Sequence, residues 1–202
     1  MDFTNVTRAL KERGFAVSAF ETAAEAAAYL DRAIDGVSVS FGGSMTLQEM
    51  GLFEKLAPHN ELLWHWAPPP EGMTVADVRA RAATTDVFLT SANGLAETGE
   101  IINIDGSGNR VASTLYGHKK VYFVIGSNKL APTYEKALWR ARNIAAPKNA
   151  QRLGMKTPCA VKGDRCYDCR SENRICRGLV VLWEPMLGVE TEVVLVNENL
   201  GY

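Results

Sequence analysis

The 202-residue sequence has no apolar run near the roughly 18 residues that a membrane span requires. Its opening, Met1-Asp2-Phe3-Thr4-Asn5, lacks the basic patch and apolar stretch of a secretory signal. The expectation is a cytoplasmic protein. Neither charge is in surplus: 22 Lys and Arg stand against 23 Asp and Glu, which argues against a general nucleic-acid binder. The 3 histidines, His59, His65 and His118, are scattered without metal-ligand spacing, and His65, between Trp64 and Trp66, reads as structural. Neither G-x-G-x-x-G nor a P-loop occurs. No cysteine lies outside residues 159–176, so all four thiols crowd into one stretch. There is no internal repeat and no dividing linker. With 47% hydrophobic residues, one α/β domain over residues 1–202 is expected, its cysteine loop at 154–177 included.

What is present is an alternation of strand-like and helix-like segments. Residues 6–13 read as a short helix, 15–20 as β-prone, and 22–33, rich in Ala and Glu, as a helix capped by Thr22. Residues 37–41 alternate at period two and read as a strand, followed by a helix that Thr46 opens and that runs through residue 55. Then come a strand at 62–66, a stiff triple proline, a helix at 74–83 with Asp77 near its start, and a buried strand at 86–90. Residues 100–104 and 110–113 read as paired strands around the turn-rich 105–109. A buried strand at 120–125, a helix at 134–144 and a short helix near Pro147 precede the cysteine loop; strands at 179–183 and 192–197 follow it. This order implies a mainly parallel sheet flanked by helices. The pair around residue 106 and the final two strands are the candidates for antiparallel pairing.

Two loops follow strands and so belong at the strands' carboxyl ends, where such folds bind ligands. The first holds Gly42, Gly43, Ser44 and Thr46, whose glycines let backbone N–H groups approach a ligand and whose hydroxyls add donors. The bland alternative is a tight turn capped by Thr46. The second runs from Ser91 through Asn93, Glu97, Thr98 and Gly99. Glu97 is a candidate nucleophile or general base, or else a solvated turn residue. Asn93 and Thr98 are candidate donors, and Arg110 a bidentate anion ligand. Asn128 and Lys129, just past the 120–125 strand, are candidate phosphate contacts, or else part of a helix-initiating turn. If the two loops share one rim, they share one cleft.

Cys159, Cys166, Cys169 and Cys176 form C-x6-C-x2-C-x6-C. The two-residue knuckle Cys166-Tyr167-Asp168-Cys169 lets both sulfurs reach one ion, and the long spacers allow the outer pair to close over it. So long a connection needs an organiser of its own, and nearby arginines suit an anionic tetrathiolate. A redox disulfide and inert thiols are the alternatives; zinc and an iron–sulfur cluster both fit the donor set, since neither ferredoxin spacing nor a second knuckle is present. If the last strands run parallel to the first, this centre lies on the rim opposite the ligand loops unless the loop folds across.

Phe41-Gly42-Gly43-Ser44 with Thr46, Ala96-Glu97-Thr98-Gly99 with Ile101, and Arg110 with Ser113 together resemble the lactate-utilization (LUD) family, from about residue 37 to the C-terminus. The resemblance implies a fold similar to the sugar-phosphate isomerase and CoA-transferase superfamily, whose members bind phosphorylated or CoA-linked ligands at strand ends. Glu97-Thr98-Gly99 is loosely similar to the nucleophilic Glu and nearby Gly of some CoA-transferases; the fold does not transfer the reaction. Many family members follow the arginine and serine with Pro and His-Ile, where this chain has Leu115-Tyr116-Gly117-His118-Lys119. His118 reads as a surface turn residue or as the matching histidine. The lactate-oxidation context tips the cysteine centre towards [4Fe–4S] over zinc, and implies iron–sulfur oxidoreductase subunits as partners; self-association and a protein without cofactor stay open.

The expected function is an accessory subunit or enzyme of lactate-like organic-acid oxidation that binds an anionic small molecule at the strand-end loops. The alternatives are a metal-organised electron-transfer or scaffold subunit, and a transferase or isomerase acting through Glu97.

Overall fold

The computed structural model describes residues 2–202; residue 1 lies outside the described residues. The strands are β1 (Ala16–Phe20), β2 (Ser38–Phe41), β3 (Glu61–Leu63), β4 (Val87–Thr90), β5 (Gly94–Ala96), β6 (Ile101–Asp105), β7 (Lys120–Gly126), β8 (Leu130–Ala131), β9 (Gly178–Leu182) and β10 (Glu190–Val196). The helices are α1 (Thr4–Glu12), α2 (Ala23–Ala33), α3 (Met45–Glu49), α4 (Leu52–Leu56), α5 (Val75–Ala82), α6 (Asn109–Leu115), α7 (Tyr134–Arg140), α8 (Ala146–Arg152) and α9 (Pro158–Lys162). No helix among the described residues is long and apolar enough to cross a membrane.

The main sheet has six strands in the order β1-β10-β7-β4-β2-β3, every pair parallel. Its alternation sorts the core into two faces. In β10, Val194 and Val196 pack with Leu30 of α2 and Leu52 and Leu56 of α4. Val193 and Leu195 point the other way, to Val6 and Leu10 of α1 and to Leu95 and Ile101. Those last two belong to a second sheet, β8-β5-β6-β9. Its far side presents Ala96, Ile102 and Ala131 to Ala137 and Ala141 on the α7 side. The approach is so close that a Cβ on Gly94 would sit 2.6 Å from the Ala137 carbonyl oxygen.

Local chemistry explains the helix starts. Thr22 and Glu25 bond each other's backbone N–H groups reciprocally, as do Thr74 and Asp77.

Four expectations are corrected. The helix expected from Thr46 through residue 55 is split into α3 and α4 at Gly51, whose φ of 60° breaks the helix, and its cap is Ser44 rather than Thr46. The strand expected at 110–113 is helix α6: Asp105 accepts from the N–H of Gly106, Gly108 and Val111, bending the chain so that no strand can follow. The final strands do not pair with each other. β10 enters the main sheet, whereas β9 joins β6 antiparallel in the second. His118 is buried, 5% exposed, stacked on Phe88 with Nδ1 donating to the Thr85 carbonyl at 2.8 Å.

Candidate functional site: a cationic cavity at the strand ends

The carboxyl ends of β2, β4 and β7 lead into Gly42-Gly43-Ser44, Ser91-Ala92-Asn93 and Ser127-Asn128-Lys129. These segments and their neighbours enclose a cavity of about 540 Å³. Gly43, Ser44, Ser91, Asn93 and Lys129 line it. So do Arg79, Arg110, Arg152, Arg174 and Arg177, making six cationic side chains with Lys129, against the side-chain carboxylates of Asp105 and Glu172 among the described residues. A concave wall of one sign concentrates ligands of the other.

Arg110 is the fixed part of that wall. Its guanidinium donates to the carbonyls of Ser91 and Ile104 and to the side-chain oxygens of Asn93 and Asn103, with Asp105 3.7 Å away. All four terminal N–H groups are thus taken by the protein itself. Arg110 supplies a held positive charge rather than a free fork for bidentate recognition. Gly42 makes its position possible, since a Cβ there would lie 2.9 Å from Arg110 Cγ and from Thr90 Oγ1. Gly43 does the same for Trp66, whose ring a Cβ would meet at 3.0 Å. Asn93 lines the cavity, but its Oδ1 is engaged by Arg110 and by the Ile104 N–H.

Lys129 is the most confined cation, 3% exposed. Its Nζ donates to Thr46 Oγ1 at 2.7 Å and to Ser91 Oγ at 2.8 Å. Burial, with Arg140 and Arg110 nearby, pushes its ammonium down to about 7. Thr46 is fully buried and bonds the Leu200 carbonyl, so its hydroxyl serves Lys129 and the tail. Asn128 ties down the same tail, donating to the Gly201 carbonyl and accepting from the Leu200 N–H. Tyr202 beyond it reaches the cavity and bonds Arg152.

The residues 97–99 lie elsewhere. They form the β5–β6 turn, packed against Arg13, which donates to the Thr98 carbonyl at 2.6 Å and meets Glu100 at 2.5 Å. A Cβ on Gly99, where φ is 96°, would lie 2.7 Å from Arg13 Cδ. Glu97 bonds the Ala131 carbonyl through its backbone N–H, and no bond to its side chain is present among the described residues. The shared cleft expected for the glycine loop and Glu97 is therefore not formed.

The cysteine segment sits on the same rim as the cavity, not the opposite one, because β9 runs in the second sheet. Residues 172–177 form part of the cavity wall, Cys176 among them. Behind that wall is a second cavity of about 330 Å³, lined by Cys166, Asp168, Cys176, Arg142, Arg174 and others; Arg174 and Cys176 face both. In the knuckle, the Asp168 N–H points at Cys166 Sγ, 3.3 Å away, with Asp168 held at a φ of 46°. Arg174 donates to the carbonyls of Cys169 and Cys176. Cys159 stands apart on α9, beside Thr157 Oγ1 at 3.3 Å. Among the described residues no three His, Cys, Asp or Glu side chains gather closely enough to hold a metal ion.

The family model of the LUD domain matches residues 4–196. The chain belongs to the LUD domain family. This family is associated with lactate utilization. A solved structure of a DUF162 family protein from Deinococcus radiodurans is similar to this LUD domain at TM-score 0.54 and 16% identity, covering 97% of this chain and 99% of that one, which shows a shared fold. No curated protein matches. Of the cavity of this LUD domain, sequence reasoning found Gly43, Ser44, Asn93, Arg110 and Lys129. It passed over His65, Trp66, Arg79, Arg152 and Tyr202. The one available signal was the Trp64-His65-Trp66 triplet, expected from the sequence inside a strand and placed by the structure just past β3. Arg79 and Arg152 come from helices whose packing the sequence does not reveal.

Proposed function

We propose that this LUD domain binds a small organic anion in the strand-end cavity, as an accessory subunit or enzyme of lactate-like organic-acid oxidation. The observation that carries the reading is the convergence of six cationic side chains on about 540 Å³. Charge of that density without matching carboxylates favours an anionic guest. Arg110 sets the field; Arg79, Arg152 and Arg177 keep terminal N–H groups to offer the guest, Lys129 keeps one position on its nitrogen, and Gly43 and Ser44 shape the floor. Titration calorimetry with sulfate and with a small carboxylate tests this. Arg152→Ala and Arg177→Ala should each weaken binding by about tenfold, the usual worth of a charge-assisted hydrogen bond. No saturable binding of either anion at low salt overturns the reading.

Lactate itself rests on the family association. Glu97 lies outside the cavity and has no part in this reading.

A second component concerns the cysteines. The N–H···S contact in the knuckle, the second cavity beside Cys166 and Cys176, and the three arginines around them suit an anionic thiolate centre. Cys159, Cys166, Cys169 and Cys176 would hold a zinc ion or an iron–sulfur cluster only once the segment draws their sulfurs together, since no three of them are gathered closely enough as the segment stands. When bound, such a centre would supply structural order or an electron relay. Anaerobic iron, zinc and sulfide analysis decides its identity, and protein free of all three removes this component.

A further inference from the structure

We propose that Lys129 forms an imine with an anionic aldehyde or ketone held in the strand-end cavity. The proposal rests on the anion-binding reading and adds a covalent step to it.

Half-buried Lys120 and exposed Lys119 are each given an acid. Lys120 pairs with Glu192 at 3.1 Å, and Lys119 with Asp86 at 2.6 Å. Lys129 is more deeply buried than either, yet no carboxylate among the described residues lies within ion-pair distance of its Nζ. Its partners are two hydroxyls, Thr46 and Ser91. The acid whose charge acts on it, Glu49, is already accepting from the Gly201 N–H at 2.7 Å. Two guanidinium groups, Arg140 and Arg110, disfavour a further positive charge. A lysine meant only to hold structure is poorly served by such surroundings. A lysine meant to be a free amine near neutral pH is well served by them, because desolvation and neighbouring cations are what activate a lysine towards carbonyl carbon.

The hydrogen-bond geometry agrees. Two N–H groups directed at hydroxyl oxygens leave a single tetrahedral position on nitrogen. In the neutral amine that position is the lone pair. Lys129 lines the cavity whose other cations attract the substrate's anionic group.

The step balances without oxidant or reductant. The amine lone pair bonds to the carbonyl carbon, and the C=O π pair moves to oxygen, which takes one proton from nitrogen. The second amine proton leaves with that oxygen as water, and the C=N bond closes. The Ser91 and Thr46 hydroxyls, both in contact with Nζ, are placed to pass those protons.

The test uses the whole protein with cyanoborohydride at neutral pH, which fixes an imine as a stable secondary amine. Glyoxylate is the anionic probe and acetaldehyde the neutral one, with sites mapped by peptide mass spectrometry. The expected result is glyoxylate addition at Lys129 on the order of tenfold faster than at any surface lysine, given the larger free-amine fraction. Acetaldehyde should lose that preference, sulfate should protect, and Lys129→Arg should lose the site. The wild-type comparison among lysines stands even if that variant folds poorly. Label spread evenly over surface lysines overturns the proposal. So does an unlabelled Lys129 in protein that still binds sulfate by calorimetry, in which case anion binding survives alone. Absence of both labelling and sulfate binding overturns both readings together.

Discussion

Arg110 and Arg174 face one cavity from two regions built on different principles. Arg110, its side chain 12% exposed, is fastened to the carbonyls and side chains of β6 and of the β4–β5 connection. Those elements are held by sheet pairing and by the core, so the charge is in place before any guest arrives. Arg174, 33% exposed, is fastened to the carbonyls of Cys169 and Cys176 within its own segment. Residues 163–177 contain no helix or strand and few buried side chains. One half of the cavity wall is thus a consequence of the fold. The other half takes its order from a short stretch that must be organised locally, against the entropy of ordering a long connection.

The largest expected effect tests the fixed half. Arg110→Ala removes the donor that two carbonyls and two amide oxygens share and the cation beside Asp105, and should cost roughly 3–5 kcal/mol in urea unfolding, as removal of one member of a buried charged network does. Arg110→Lys should recover only part of this. A loss under about 1 kcal/mol would mean that the fixed half does not depend on Arg110.

Lys129 offers a pH test of the same half. Its ammonium is lowered from the ordinary 10.5 to about 7 by burial first and by Arg140 and Arg110 next. Between those values the unfolded chain binds a proton that the folded chain does not, so raising the pH favours the fold. The Tm of ligand-free protein should climb across that window more steeply than that of Lys129→Met. Equal slopes in the two proteins would show that Lys129 stays charged in the fold.

Gly106 is the seam between the two halves: a Cβ there would lie 2.6 Å from the Ile175 carbonyl oxygen. The Arg177 N–H also bonds the Asp105 carbonyl at 2.9 Å. Gly106→Ala should push the cysteine segment off the wall. Proteolysis within residues 163–177 should accelerate several-fold while the global unfolding free energy changes by less than about 1 kcal/mol. Unchanged cleavage, or a collapse of global stability, would show that the halves are not separable.

The smallest effect serves as a control, far from both halves. His59 bridges Asp31 and Asp35 at 3.0 Å each, and the hydrogen bond to Asp31, above all, raises its pKa. That stabilisation is full below the unfolded-state value of about 6.5 and fades as pH rises through the folded one. His59→Gln should therefore lower Tm slightly at about pH 5.5 and leave it unchanged at about pH 8.5. The opposite order would mean that the bridge is not made.

Much of the parallel sheet was legible because its information is local: alternation in β2, continuous apolar runs in β7 and β10, and reciprocal caps at Thr22 and Thr74. Helix α6 was not. Its start is set by a carboxylate six residues before Val111, and Val111-Ala112-Ser113 is neutral between helix and strand. The α7–α8 junction was half legible. A widened turn, Ala141–Ala145, carries the helix on to Pro147, whose missing N–H forbids an ordinary continuation. Within the site, residues adjacent to strand ends were found because strand ends are predictable. Arg79, Arg152 and Tyr202 arrive by tertiary packing, and no spacing announces them. Glu97 was misplaced because β5 leaves the main sheet just after β4 and carries its turn away towards α1.

Trp66 stacks on Trp64 with ring centres 5.4 Å apart, and the Arg152 guanidinium lies 4.7 Å over its face at the edge of the cavity. That places a native fluorophore beside a cation that an anion entering the cavity would compete for. Drawing Arg152 off the indole changes the electric field across the ring, and with it the colour and intensity of the emitted light. On the proposed reading the cavity would carry its own optical gauge of occupancy, needing no label and no knowledge of the guest's identity.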